Sequence, residues 1–336
     1  MDNKLTKNRL SNFLAYEWIT MIIVIVVAIV VWEFAYTVAA VRLTVGQQFK
    51  YYYDEALDTY GSASLYEMII DEDTLSYDVL SFDYESLTKD AGNILSARLS
   101  IYEGDVIFTD CIDYTKLEGA DENTTKEIRV KTLVDSYNGY DFITLKNDAI
   151  SYLKSFLPDG TTVDGDIEFG MLSKEKIESS FRSRMKKDNR FREEEQILSG
   201  IKMEEERLEK LCKDVKDFTY LLSLKETTPE LFYNYTRFEQ SLNSAVDDKY
   251  KTQYANAVEN EKENGRENVP YALCLSALKG GEGKTDPSSY FKIGGRETAE
   301  DVVLMVFNFK DEQPHLQYET IGFINQIVKD CSTLLG

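Results

Sequence analysis

One short segment of the chain has the residue types that bind phosphate. Residues 279–285 read KGGEGKT and follow the apolar run YALCLSAL, which is typical of a buried strand. Glycines let backbone N–H groups turn towards an anion, and two lysines add positive charge. The candidate phosphate-binding residues are Lys279, Gly283, Lys284 and Thr285, and the corresponding chemistry would be nucleotide binding and hydrolysis.

The surroundings of this segment weaken the nucleotide hypothesis. The string is similar to the deviant Walker A sequence of the ParA and MinD-like ATPases, KGGxGK followed by Ser or Thr. A phosphate-binding loop leads directly into a helix, whereas Asp286 and Pro287 follow it here. It also lies close to the carboxyl end, where little chain remains for the strands of such a fold. An ATPase is kept as one alternative, and a flexible loop between two strands is the other.

Other residues offer little metal or nucleophilic chemistry. The only histidine is His315, and the four cysteines are far apart without a CxxC pair, so zinc sites and His-dependent triads are not expected. The acidic clusters at 71–73 and 159–168 could bind calcium through oxygen ligands, but neither has EF-hand spacing. Solvated loops are the alternative for both. We therefore expect no catalytic residue, no metal and no cofactor, in a protein that is not an enzyme.

The charge balance of the chain excludes one class of partner. The 336 residues include 59 acidic and 38 basic side chains, for a formal net charge of −21. Nucleic acid binding requires an excess of Lys and Arg against the phosphates, so no nucleic acid partner is expected. With 43% hydrophobic residues and five prolines, the composition favours an ordered, core-forming protein.

An uncharged run near the start predicts a membrane-spanning helix. Residues 18–32 read WITMIIVIVVAIVVW, with a tryptophan at each end, where the two membrane interfaces would lie. With its apolar flanks the predicted span covers residues 13–36. Its expected partner is therefore the lipid bilayer.

Basic residues that precede the span predict its orientation. By the positive-inside rule, residues 1–12 form a cytoplasmic tail and residues 37–336 form an extracytoplasmic domain of a single-pass cell-membrane protein. The alternative is a cleaved signal peptide with its small-residue site at 38–40. An outward domain would also keep KGGEGKT away from ATP.

The pattern after the span is typical of an α/β domain. Residues 77–83 alternate apolar and polar side chains as a strand does, a helical pattern begins at Asp90, and residues 105–110 indicate a second strand. Strand, helix and strand with short connections predict a βαβ unit with parallel strands. Helices are expected over 144–157 and throughout a helix-rich region at about 170–262.

The carboxyl part of the chain returns to strands. Strands are expected at 271–278 and 302–309, and a closing helix at 318–334. A sheet, a helical middle and a second set of strands predict a chain that leaves and re-enters a core. The expected fold is therefore α/β and two-lobed.

A seven-residue repeat runs through the predicted helix at 193–224. One set of repeat positions holds Ile201, Leu208, Val215 and Leu222, and the other holds Ile197, Glu204, Leu211 and Phe218. Such a repeat indicates either a packing seam inside the domain or an intermolecular coiled coil. Gly200 and Glu204 both weaken a long zipper. More helix is expected from residue 228 to about 259.

Several stretches resemble the extracellular solute-binding proteins of ABC transporters, especially the membrane-anchored, substrate-binding-like proteins of Firmicutes. Residues 103–110, EGDVIFTD, are similar to the GD-apolar-apolar-x-D strand of that family. Residues 189–207 and the string VPYAL at 269–273 add to the resemblance. It implies a fold like a type 2 periplasmic binding protein, in which two lobes enclose a ligand cleft. The chain departs from the family in lacking a lipobox cysteine.

The resemblance also implies where a ligand would bind. Ligands of such proteins lie at the carboxyl ends of parallel strands. By position Asp83 and Tyr84 end one strand, Thr109 and Asp110 end the next, and Tyr114 lies in the loop beyond. These five are the candidate ligand-binding residues, with ordinary capping or packing as the alternative.

These patterns support one leading hypothesis. The chain is expected to be a membrane-anchored solute-binding-like domain that takes a small molecule or peptide, or a degenerate receptor or sensor. The alternatives are an envelope scaffold that binds a membrane or envelope protein through its helical seam, and the ATPase. The ligand itself stays open.

Overall fold

The computed structural model describes residues 18–39, 47–54, 57–59, 65, 67, 74–87, 91–100, 103–121, 124, 127–137, 139–278, 280–293, 299–308 and 317–335. The chain divides into two compact units, Met1–Thr44 and Val45–Gly336.

The described part of the first unit is helix α1, Trp18–Ala39, which is 22 residues long. The side chains of Trp18 and of residues 20–33 are described and exposed, and the large apolar ones among residues 21–32 are 40% to 70% exposed. The first residues of the predicted span, 13–17, lie outside the described residues. Within the described parts of the chain, no helix was found that combines the length and the apolar character needed to cross a membrane.

The second unit is built on a mixed sheet of six strands. Their bounds are β1 Gln48–Asp54, β3 Ser81–Leu87, β4 Val106–Asp110, β5 Phe232–Tyr235, β6 Val269–Cys274 and β8 Val302–Val306. The strand order is β3-β1-β4-β8-β6-β5. β1 is parallel to both β3 and β4, whereas β8 runs antiparallel to β4 and β6, and β5 antiparallel to β6. A separate antiparallel pair joins β2 Leu57–Thr59 to β7 Phe291–Ile293.

Eight further helices are described in this unit. They are α2 Ala91–Leu99, α3 Arg129–Ser136, α4 Phe142–Lys154, α5 Lys174–Arg184, α6 Glu194–Ser223, α7 Glu239–Ser244, α8 Asp248–Glu263 and α9 Glu319–Cys331. The long helix α6 packs against α4, α5 and α9.

The sheet is buried on both faces. Every residue of β4 and of β8 is buried, which explains their near-continuous apolar sequences. Along β1, Phe49 and Tyr51 belong to one buried cluster, with residues of α4, α6 and α9, and Tyr52 belongs to another, with residues of α2 and α3. Helices therefore cover the sheet from both sides.

The prediction of an α/β fold is confirmed, and so are several of its elements. The helix predicted at 193–224 is found at Glu194–Ser223, and the closing helix predicted at 318–334 is found at Glu319–Cys331. The strands flanking α2 are parallel as expected, although β1 lies between them. The two-lobed arrangement is not confirmed, since Val45–Gly336 forms one compact unit.

The strand predicted at 77–83 is misplaced. Residues 77 and 78 form a turn, residues 79 and 80 have no regular secondary structure, and β3 begins only at Ser81. The reason is register, because Ser81 lies opposite Gln48, the first residue of β1, and β1 is a strand that the sequence pattern had not indicated. Its run of aromatic residues, QFKYYYD, is the strand signal that was overlooked.

The continuous helix predicted from residue 228 is wrong. A single 3-10 turn at Pro229–Leu231 leads into β5, and α7 and α8 follow. β5 has four residues, FYNY, and it pairs with the outer edge of β6. A short strand of this kind takes its conformation from its neighbour, and local periodicity does not reveal it.

Candidate ligand site at the carboxyl ends of β1 and β4

The order of the parallel strands defines a switch point in the sheet. β1 has β3 on one side and β4 on the other, so the chain reverses its direction of travel across the sheet between β1 and β4. In open α/β sheets ligands bind outside the carboxyl ends of the strands at such a point. Asp54 is the last residue of β1, and Asp110 is the last residue of β4.

Arg129 links the two carboxylates. It is the first residue of α3, and its guanidinium forms an ion pair with Asp54. Its Nε lies 3.8 Å from Oδ2 of Asp110. Thr109, the neighbour of Asp110, has its hydroxyl 3.4 Å from Oδ2 of Asp54, in position to donate a long hydrogen bond. Residues from β1, β4 and α3 therefore meet at one place.

Hydrogen bonds fix the Asp110 carboxylate. Its Oδ2 accepts a bond from the Tyr114 hydroxyl at 3.1 Å, and its Oδ1 accepts one from the backbone N–H of Ile112 at 3.1 Å. Tyr114 opens a 3-10 turn that Asp113 caps by accepting from the N–H of Thr115. The loop after β4 thus folds back onto the end of its own strand.

Burial sets the electrostatics of this cluster. Asp54 is 6% exposed and Asp110 is fully buried, whereas the Arg129 side chain is 42% exposed. Burial raises the pKa of Asp110, although the hydrogen bonds from Ile112 and Tyr114 lower it in part. Burial also lowers the pKa of Arg129. The guanidinium is the charged group of this cluster that solvent reaches most readily.

A third carboxylate adds to the negative charge. Asp301 precedes β8 and has a left-handed backbone, with φ of 67°. Its carbonyl accepts a bond from the N–H of Cys111 at 3.0 Å, and its negative charge raises the pKa of Asp110 further. Three carboxylates therefore share this end of the sheet with the Arg129 guanidinium, an arrangement that favours a cationic group of a ligand.

Three of the five predicted ligand-binding residues come together here. Thr109, Asp110 and Tyr114 lie at the carboxyl end of β4, as expected. Asp83 and Tyr84 do not, and the prediction that they end a strand is wrong. Both lie in the middle of β3, because that strand begins later than predicted.

The two misplaced residues have ordinary surroundings. Tyr84 stacks on Tyr51 with ring centroids 5.5 Å apart and an interplanar angle of 18°. Asp83 is exposed on the edge strand and accepts a bond from the N–H of its neighbour Tyr84 at 2.8 Å.

Sequence reasoning missed Asp54 and Arg129. Asp54 closes the aromatic run of β1, so recognising that strand would have placed a carboxylate at its end. Arg129 has no local signal, because its role depends on contacts with two strands that lie far away in the sequence.

The KGGEGKT segment has a different environment from a nucleotide site. Lys279 lies outside the described residues. The glycines at 280, 281 and 283 have φ values of 141°, 129° and 82°, so the loop needs their conformational freedom. It continues into a 3-10 turn, Pro287–Ser289, and then into β7, so no α-helix starts at its end.

The polar groups of this loop bind the end of α9. Lys284 donates from Nζ to the carbonyl of Lys329 at 2.7 Å, and the N–H of Thr285 donates to the carbonyl of Asp330 at 2.9 Å. Both acceptors are in the last turn of α9. A lysine at a helix carboxyl end is stabilising because carbonyl groups there lack intrahelical partners, which accounts for Lys284 without a phosphate.

A buried ionic cluster lies elsewhere, on α6. Glu204 is fully buried and receives bonds of 2.8 Å from Arg207, Arg184 and the hydroxyl of Tyr77. Glu204 was the polar position in the predicted heptad repeat. It joins α5, α6 and the turn before β3, so it is a centre of packing within the domain.

The apolar seam of α6 is also internal. Leu208, Leu211, Val215 and Phe218 are buried against the rest of the domain. Their burial matches the first interpretation of the repeat, a packing seam inside the domain.

The described residues offer little for metal or thiol chemistry. Within them, no group of three or more His, Cys, Asp or Glu side chains is arranged to hold a metal ion. All four cysteines are free, with Cys212 and Cys331 buried. His315 and the acidic cluster at 71–73 lie outside the described residues.

No family model, no curated protein and no solved structure matches this chain. The relationship to solute-binding proteins therefore stays a prediction from the sequence.

Proposed function

We propose that this chain is a membrane-anchored binding protein, and not an enzyme, that takes a small charged ligand at the carboxyl ends of β1 and β4. One observation carries the proposal: two buried carboxylates, Asp54 and Asp110, meet a half-exposed Arg129 at the point where the strand order reverses.

The chemistry of the cluster suggests the class of ligand. A guanidinium binds a carboxylate through paired N–H donors, and the exposed part of Arg129 is where such a ligand would arrive. The surrounding carboxylates of Asp54, Asp110 and Asp301 favour an ammonium group. A ligand with both charges, such as an amino acid or a short peptide, satisfies both requirements.

The cluster is organised before any ligand arrives. Tyr114 and Ile112 hold the carboxylate of Asp110, and the Thr109 hydroxyl lies beside Asp54. Fixed donors and acceptors reduce the entropy that binding costs. Helix α3 brings Arg129 to the strand ends within the same compact unit, so binding at this site does not require a second lobe.

The proposed membrane anchor rests on the sequence of α1. No membrane-spanning helix was found in the described residues. However, the 22-residue helix α1 carries a single charged side chain, Glu33, and its described apolar side chains are exposed. About 20 apolar residues suffice to cross the hydrocarbon layer, and an apolar surface of this size is unfavourable in water, so the sequence of α1 supports an anchor.

The proposed function is tested by thermal unfolding of the full chain in lipid nanodiscs. The panel contains free amino acids and dipeptides, each compared with its N-acetylated and C-amidated forms. We expect at least one zwitterion to raise the unfolding midpoint, because a ligand at 100 times its Kd stabilises by about 2.7 kcal/mol. Its two blocked forms should act more weakly, since each lacks one charge.

Matched variants connect the effect to the site. Arg129→Gln and Asp110→Asn should remove the ligand-dependent shift. Lys216→Gln should keep it, since Lys216 makes an exposed pair with Asp166. A panel without any stabilising member, or a shift that survives in both site variants, would refute the proposal.

A further inference from the structure

A cavity of about 610 Å³ lies where α5 ends and α6 begins, away from the β1 and β4 strand ends. Its lining combines aromatic and basic side chains, among them Phe181, Lys186, Phe191 and Arg192. We propose that this cavity is a second binding site, specific for a small organic anion with an apolar body. Its volume is within the usual range for small-molecule sites.

The apolar wall of the cavity depends on a glycine. The rings of Phe181 and Phe191 pack edge to face, with centroids 5.1 Å apart. Both rings lie directly on Gly200 of α6, where a Cβ would be 2.3 Å from Phe181 and 2.6 Å from Phe191. The segment between α5 and α6 is thus held against α6, with Met185 and Ile197 completing the apolar lining.

Among the described lining residues, Asp188 is the only one with an acidic side chain, and that side chain is paired. Asp188 accepts bonds from the guanidinium of Arg190 at 3.0 and 2.8 Å, and Gln47 donates to it at 3.4 Å. Arg190 also bonds to the buried Asp78 at 2.6 Å. These contacts keep the Asp188 carboxylate ionised and paired with the Arg190 guanidinium. The positive charge of Arg190 weakens the repulsion between Asp188 and a bound anion.

The cations of the lining differ in whether an acidic side chain pairs with them. Arg182 pairs with Glu194 at 2.6 Å. Among the described residues, Lys186 makes no ion pair, and the Arg192 guanidinium bonds only to the neutral amide oxygen of Asn189, at 3.0 Å. Two cations without an acidic partner beside an aromatic wall, in a chain with a net charge of −21, form a local site for negative charge.

The test uses three probes with the same ring system and different charge. Binding of 1-naphthaleneacetate, 1-naphthalenemethanol and 1-naphthylmethylammonium to the full chain in nanodiscs is measured by calorimetry, with empty nanodiscs subtracted. We expect the anion to bind at least tenfold more tightly than the other two. Equal binding of all three, or no binding above empty nanodiscs, would mean that the cavity is only a packing gap.

Variants then locate the bound probe. The double change Lys186→Gln with Arg192→Gln should weaken 1-naphthaleneacetate binding at least tenfold. Lys202→Gln is the matched control, since Lys202 is exposed and pairs with Glu206 on α6. Arg129→Gln should leave the probe's affinity unchanged, which separates this site from the strand-end site. Loss of binding in Arg129→Gln, with retention in the double variant, would overturn the assignment.

Discussion

Glu204 is a carboxylate that the domain keeps away from water. Burial alone would raise its pKa, but the charges and hydrogen bonds of Arg207 and Arg184 reverse that effect and hold the pKa well below its usual range. Arg207 is itself almost fully buried. Buried groups of this kind depend on one another, because removal of one leaves another charge without compensation.

The first prediction removes the charge of Glu204 and keeps its shape. Glu204→Gln should lower the free energy of unfolding by about 3 kcal/mol or more, because Arg184 and Arg207 lose their buried partner. Urea denaturation measures the change. The control is Glu206→Gln on the same helix, whose side chain is 63% exposed and whose loss should cost less than about 0.5 kcal/mol. Equal effects of the two variants would contradict the structural role of Glu204.

The second prediction concerns acid stability. Because the pKa of Glu204 is lower in the folded chain than its ordinary value of 4.5, this group stabilises the fold above that pH. Its contribution should be lost progressively as the pH falls below about 4.5, at up to 1.36 kcal/mol per pH unit. Unfolding measured between pH 6 and pH 2.5 should show a shallower acid limb in Glu204→Gln than in the wild type. Parallel limbs would disprove it.

At the scale of elements, Gly200 lets aromatic side chains pack closely against α6. A glycine inside a helix usually costs stability relative to alanine. Here the missing side chain provides the space that the rings of Phe181 and Phe191 occupy. Packing between α5 and α6 therefore explains a residue that appears unfavourable in the helix sequence.

The third prediction reverses the usual sign of a glycine substitution. Gly200→Ala should destabilise the fold by about 1–3 kcal/mol, because the added methyl group overlaps both rings and overpacking strains the core. Ser199→Ala, at the adjacent exposed position, should be neutral or slightly stabilising. Thermal or urea unfolding of the two variants provides the comparison, and a Gly200→Ala protein more stable than the wild type would contradict the packing.

The fourth prediction concerns the loop that binds the end of α9. Lys284→Met should lower stability by about 0.3–1 kcal/mol, the usual contribution of a cation at a helix carboxyl end. Glu282→Gln in the same exposed loop is the control. Mg-ATP should not change the melting midpoint of the wild type. A nucleotide-dependent shift that Lys284→Met abolishes would restore the ATPase alternative.

The elements that could be predicted are those whose pattern lies entirely within their own sequence. β8, with the sequence VVLMV, is buried on both faces and therefore apolar throughout, and α6 shows its repeat over many turns. β5 and the start of β3 could not be placed, because their pairing partners fix them. The same limit applies to the site: Asp110 ends a recognisable strand, whereas Arg129 reaches it only through the fold.

At the scale of the whole molecule, the second unit places two differently charged sites on one sheet domain. The strand-end site is rich in carboxylates, whereas the cavity beside α6 carries the cations Lys186 and Arg192. With a net charge of −21, the surface as a whole repels anions. Selectivity for an anion at the cavity therefore has to come from local groups.

The fifth prediction tests the proposed anchor and its orientation. The chain should stay with the membrane after alkaline carbonate extraction, because α1 would be embedded in the bilayer and not bound to its surface. Proteinase K added to intact cells should digest the second unit, while a cytoplasmic marker protein stays intact. Release of the chain by carbonate would contradict the anchor. Full protection of the second unit in intact cells would contradict the orientation.

The most direct test of the binding proposal is calorimetry with the strongest ligand among the free amino acids and dipeptides. Its affinity is measured for the wild type, Arg129→Gln and Arg129→Lys in nanodiscs, after unfolding midpoints confirm that the variants are folded. We predict at least a tenfold loss for Arg129→Gln, or about 1.4 kcal/mol, and a smaller loss for Arg129→Lys, which keeps the charge but not the paired donors. An affinity that is the same in all three proteins would contradict the central claim.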